Sequence, residues 1–149
     1  SLNFSFILYA LNLENNQMLS NEKIIVDNIN GSFLIQGNGS KLINENIYIS
    51  GSKIEGSFEQ VNGKRDVSNL FVEDKKIVNI KTDNILMSSK KAVYNKNKSI
   101  IELFDDVKIN RGSEIITGDY GILNTIKNSY KVSSNNSNKV KAIILKTDE

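Results

Sequence analysis

Few side chains in this 149-residue chain can carry catalytic chemistry, because it contains neither His nor Cys. That leaves no thiolate or imidazole for zinc, no Cys nucleophile and no imidazole base for a serine. Carboxylates remain, and Asp105-Asp106 has the composition of a general acid/base pair. Neighbours on a strand point to opposite faces, however, and two consecutive Asp suit a turn better. A glycan-cleaving β-solenoid would need carboxylates converging on one face, and the sequence offers no such cluster. The glycines fall between apolar runs, as in hairpins, and none belongs to a phosphate-binding loop. No catalytic residue, metal site or cofactor is therefore expected. A net charge of +2 is too small to argue for a nucleic-acid partner.

What the chain does supply is aliphatic side chains at period two. Ile47-Tyr48-Ile49, Val78-Asn79-Ile80, Ile101-Glu102-Leu103 and Val107-Lys108-Ile109 are the clear cases. Alternation gives a strand one apolar and one polar face, and Ile, Val, Tyr and Phe fit a pleated surface. Asn30-Gly31, Gly37-Asn38-Gly39, Ser50-Gly51, Asn62-Gly63, Asp105-Asp106 and Arg111-Gly112 lie between the runs as turn signals. Their spacing predicts an all-β sandwich, barrel or roll with strands of about five to ten residues. Residues 84–95 have room for one helical turn, but Ile85, Val93 and Tyr94 prefer strand. Residues 133–138 read as a polar loop, 140–145 as the last strand and 146–149 as a frayed end.

The chain also repeats. Lys23–Gly51 resembles Lys91–Gly118: Val26 falls against Tyr94, and Phe33 and Ile35 against Ile101 and Leu103. After a slip of one residue, Ile49 and Gly51 fall against Ile116 and Gly118. Copies of this size lack room for private cores and should stack into one β-structure. Residues 1–12 fit two descriptions, the remnant of a signal peptide or a first strand. The apolar run Phe4–Leu11 is too short to span a bilayer as a helix.

The second copy carries a family resemblance. Ala92-Val93-Tyr94, Ile101-Glu102-Leu103, Val107–Gly112 and Ile116-Thr117-Gly118-Asp119 resemble the pattern of the LptA/OstA-like family. Tyr130-Lys131-Val132 and Lys139-Val140-Lys141-Ala142 look like its closing strands. The first copy matches more weakly, through Gly37, Ile49 and Gly51, with Ser52 in place of the Asp after Gly. Asp105 stands where the family usually has Gly. The resemblance implies one domain over residues 13–146, a twisted, slightly open β-jellyroll built from two similar β-meander halves. It further implies a periplasmic protein that takes the acyl chains of lipopolysaccharide into an apolar groove and bridges the inner and outer membranes. The alternative under the same fold is an interaction module: the periplasmic part of an anchored, LptC-like partner, or the N-terminal domain of an outer-membrane receptor.

Under that resemblance the interior wall would comprise Val26, Phe33, Ile35, Ile49, Leu70, Val78, Ile80, Tyr94, Ile101, Leu103, Val107, Ile109, Ile116 and Leu123. A closed sandwich shares the same alternation, and slim aliphatic residues suit a packed core and acyl chains equally. An exposed edge carries unpaired N–H and C=O groups and recruits further strands. The chain has no Pro to block one. The edges at Ile24 and Val26 and at Ile143 and Leu145 are therefore expected to pair head to tail, with further copies or with OstA-like partners.

Overall fold

The structure is a computed structural model that describes residues 11–135 and 139–146. The expectations for Phe4–Ala10, for the end of the polar loop and for the last three residues lie outside it. The described residues form one antiparallel sheet and no helix. In chain order the strands are β1 (Gln17–Leu19), β2 (Lys23–Asp27), β3 (Ser32–Ile43), β4 (Ile47–Val61), β5 (Lys64–Thr82), β6 (Ile85–Asn95), β7 (Ile100–Arg111), β8 (Glu114–Asn124), β9 (Ser129–Ser133) and β10 (Lys141–Ile144). The long strands β3 to β8 make a continuous meander. β1 and β2 share the free edge of β3, and β9 and β10 share that of β8.

The sheet is all-β and open, as expected, but its strands are longer than the turn signals suggested. β5 alone runs for 19 residues. Asn62-Gly63 and Arg111-Gly112 do reverse the chain, and Asn30-Gly31 lies in the reversal between β2 and β3. Gly37-Asn38-Gly39, Ser50-Gly51 and Asp105-Asp106 instead lie inside strands, where the pairing register shifts. A bulge needs the same unusual backbone as a tight turn. Gly37, Gly39, Asp105 and Asp106 all have positive φ, at 124°, 74°, 67° and 51°.

These shifts line up across the meander, after Gln36, Ser50, Glu73, Ser88 and Phe104. The sheet creases along that line into two leaves. The first leaf joins 32–36, 53–61, 64–73, 91–95, 100–104 and 120–124, edged by β2 and β9. The second joins 40–43, 47–50, 78–82, 85–88, 107–111 and 114–117, edged by β1 and β10. Both leaves contribute to a single buried cluster.

The crease also explains the repeat and its slip. β3 leaves residues 37–39 unpaired there, whereas β7 leaves only 105 and 106. Gly51 and Gly118 occupy matching places. A Cβ at Gly51 would lie 2.8 Å from Val72 Cγ1 and 2.9 Å from the Glu73 carbonyl oxygen. At Gly118 it would lie 2.6 Å from Val132 Cγ1 and 2.8 Å from the Ser133 carbonyl oxygen. The residue after each glycine ties down the neighbouring chain. Ser52 Oγ donates to the Glu73 carbonyl (3.1 Å), and Asp119 Oδ2 accepts from the Asn135 N–H (2.8 Å).

Candidate functional site

Residues paired across adjacent strands share a face of the sheet. In the first leaf one inward row therefore runs Val26, Phe33, Gly56, Leu70, Tyr94, Ile101, Leu123, Tyr130. Its neighbour runs Ile24, Ile35, Ile54, Val72, Ala92, Leu103, Gly121, Val132. The facing row of the second leaf is Met18, Leu42, Ile49, Ile80, Met87, Ile109, Ile116, Ala142. An apolar stripe thus crosses the whole sheet from edge to edge.

Burial along the stripe is uneven. Ile35, Ile54, Met87 and Ile109 are fully buried. At one end Ile24 and Val26 are 42% and 41% exposed, and at the other Ile116, Tyr130 and Val132 are only half-buried. Both ends therefore open to solvent. The middle is filled. The void bordered by Leu11, Ile49, Leu70, Ile80 and Tyr94 is about 10 Å³, at the lower limit for a single water molecule.

Of the residues expected to line an interior wall, Phe33, Ile35, Ile49, Leu70, Val78, Ile80, Tyr94, Ile101, Leu103, Val107, Ile109 and Leu123 are buried. Ile116 faces inward at the half-open end. Val26 lies on an inward row of the edge strand β2, which among the described residues pairs only with β3. Ile54, Val72 and Met87 belong to the same rows and were missed. Extending the alternation from Leu70 to Val72 and from Ile85 to Met87 finds two of them. Ile54 sits in Ser52-Lys53-Ile54-Glu55-Gly56, where no apolar partner marks the period.

Polar ties hold the side opposite the crease. Arg65 lies 5.8 Å above the Phe58 ring centroid. Its N–H and Nε donate to the two carboxylate oxygens of Glu14, each at 2.9 Å. Those bonds, the backbone one first, hold the Glu14 carboxyl below its ordinary value. Lys96 pairs with Asp66 at 3.2 Å. Towards the far edge the Tyr130 hydroxyl of the first leaf donates to Glu114 Oε2 of the second at 2.6 Å. Burial first, then Glu114, pushes the Tyr130 phenol up to about 12. Burial and the negative charge of Asp66 raise Tyr94 to about 12 as well.

The expected partner edges sit on the short strands β2 and β10 and just beyond them. Ile24, Ile25 and Val26 are exposed at one end of the sheet, and Val140, Ile143, Ile144 and Leu145 at the other. Among the described residues no group of His, Cys, Asp or Glu could hold a metal ion, and no helix is long and apolar enough to cross a membrane.

A family model described as OstA-like protein matches residues 59–149, which take in β5 to β10. No curated protein sequence matches the chain. Among solved structures, one match is LptH, the LptA homologous periplasmic component of the conserved lipopolysaccharide transport device from Pseudomonas aeruginosa. The TM-score is 0.72 over 88% of this chain and 95% of that one. At 9% sequence identity the likeness is one of fold.

Proposed function

Since the chain belongs to the OstA-like family, we propose that it is a periplasmic carrier that binds lipopolysaccharide by its acyl chains and hands it on towards the outer membrane. One observation carries this reading: an apolar stripe that crosses every strand and stays open at both ends. A core that served packing alone would be capped there. Slim aliphatic walls suit acyl chains, and the shared fold with a lipopolysaccharide-transport component agrees.

Energetics favour partial cover of the lipid. Each buried methylene contributes roughly 0.8 kcal/mol. Several long chains fully enclosed would exceed the practical ceiling of around 20 kcal/mol, and the lipid would never leave. Two hinged leaves can grip a chain without surrounding it. On this reading the drive comes from a partner, in keeping with a sequence whose glycines form no phosphate-binding loop. The exposed strands at the two ends would pair with further copies or with OstA-like partners, joining stripe to stripe. The filled middle favours a second reading, in which the fold is a structural module of an anchored relative.

Lipopolysaccharide and its de-acylated form separate the two. A carrier retains the intact lipid and loses binding by about two orders of magnitude or more when the chains are removed. Equal retention of both forms, or of neither, contradicts the carrier reading.

A further inference from the structure

We infer that residues 11–16 form a displaceable strap, an internal stand-in for the ligand, which must leave before an acyl chain can occupy the middle of the stripe. The inference rests on the carrier reading.

The two leaves are joined along the crease, so access lies on the opposite side. The strap crosses that side. At one end it is bonded to the tip of the first leaf: the Leu13 N–H donates to the Arg65 carbonyl (2.9 Å), and the Val67 N–H to the Leu11 carbonyl (3.1 Å). β6 pairs with β5 only from Asn69 onwards, so the strap fills an edge that the meander leaves unpaired. At the other end the Asn44 side chain donates to Asn16 Oδ1 (2.9 Å), and β1 continues along β3 in the second leaf. The Asn16 side chain also bonds back to the Asn12 carbonyl.

The chemistry of the strap is that of an anionic amphiphile. Leu11 and Leu13 are 2% and 7% exposed. Leu11 borders the small interior void together with Leu70 and Val72 of the first leaf and Ile49 and Ile80 of the second. Its side chain fills space that an acyl chain would take. Glu14 places a carboxylate against Arg65 at the rim. Removing the strap takes the Glu14 carboxylate from Arg65, which keeps its Asn28 contact and its place over the Phe58 ring, leaving a cation next to an apolar wall.

The strap is also held lightly. Among the described residues, and beside its two buried leucines, it is tied beyond β1 by two main-chain bonds to β5, by the Arg65 N–H and Nε bonds to Glu14 and by the Asn44 amide contact. Segments with few backbone bonds open locally at free energies far below that of global unfolding. Exposed ion pairs add little to that.

The chain has no native cysteine, so the strap can be locked selectively. Asn12→Cys and Asp66→Cys, opposed across the strap and β5, are joined by a reducible one-carbon bis-methanethiosulfonate linker. The probe is dansyl-undecanoic acid, whose uptake does not depend on lipopolysaccharide being the cargo. The linked form should bind it about tenfold more weakly than the same protein after reduction, because the competent state is suppressed. Glu14→Gln, which loosens the strap without touching its leucines, should bind more tightly than the native chain. Equal binding before and after reduction, or no uptake by any form, overturns the strap. Strap-dependent uptake of the fatty acid with no binding of lipopolysaccharide upholds the strap and overturns the proposed cargo.

Discussion

A Cβ on Gly118 would have to share space with Val132 Cγ1 and the Ser133 carbonyl, both under 3 Å away. Backbone on one side and a β-branched residue on the other leave little room to yield. Gly118→Ala should therefore cost about 1–3 kcal/mol, typical of overpacking. It should appear as a lower urea midpoint with an unchanged slope; an unchanged midpoint would contradict the crossing at the crease. The Gly-Asp pair was legible as a motif, but its role was not. Nothing local says that Gly118 admits a neighbouring strand or that Asp119 caps the backbone of that chain. Tyr94, Tyr120 and Tyr130 give a second test at this scale. Burial is the main cause for each, reinforced by Asp66, Glu102 and Glu114 respectively, and each phenol is raised from 10.0 to about 12. A raised tyrosine pKa favours the neutral form in the folded state. Its stabilisation is complete below pH 10 and is lost as pH rises through 12. Near-ultraviolet phenolate absorbance from these three should emerge only in that window, together with loss of stability. Ionisation of all three at pH 10 in the folded protein would contradict the burial of Tyr94 and the carboxylate contacts of the half-buried Tyr120 and Tyr130.

Strands were readable from period two, whereas their ends were not. Val107-Lys108-Ile109 and Ile101-Glu102-Leu103 look like two strands parted by Asp105-Asp106. They are one strand, β7, bent at the crease. Asp and Gly tolerate positive φ in a bulge as readily as in a hairpin, so residue type alone does not distinguish them. The strap shows the opposite difficulty. Leu11 and Leu13 flank Asn12 in ordinary alternation, but only long-range pairing with residues 65–67 makes them part of the core. Leu11 thus packs inside the fold. At the far edge, β10 offers four exposed residues and, among the described residues, pairs only with β8. If the sheet extends through its edges, sedimentation should show growing species as concentration rises. Ile143→Pro, which removes a donor and distorts a short strand, should abolish them. A monomer at high concentration would sink the edge-pairing proposal.

At the scale of the molecule, two leaves from two similar halves enclose one apolar stripe with open ends, a packed middle and ties on the side away from the crease. On the proposed function, affinity and release would both follow from leaves that part without unfolding: the crease is continuous backbone, while the opposite side rests on a short strap and on side-chain contacts such as Tyr130–Glu114. An acyl chain would replace the contacts between the facing rows and leave the outer face untouched. A face-resolved map of lipid contact tests this most directly. Photo-crosslinking residues at Tyr94 and Ile109, which face inward, are compared with residues at Glu102 and Lys108, the outward residues of β7 next to Ile101, the partner of Tyr94, and to Ile109. The account predicts lipopolysaccharide adducts at the inward pair and near-background labelling at the outward pair; equal labelling of both faces would contradict an interior path for the lipid.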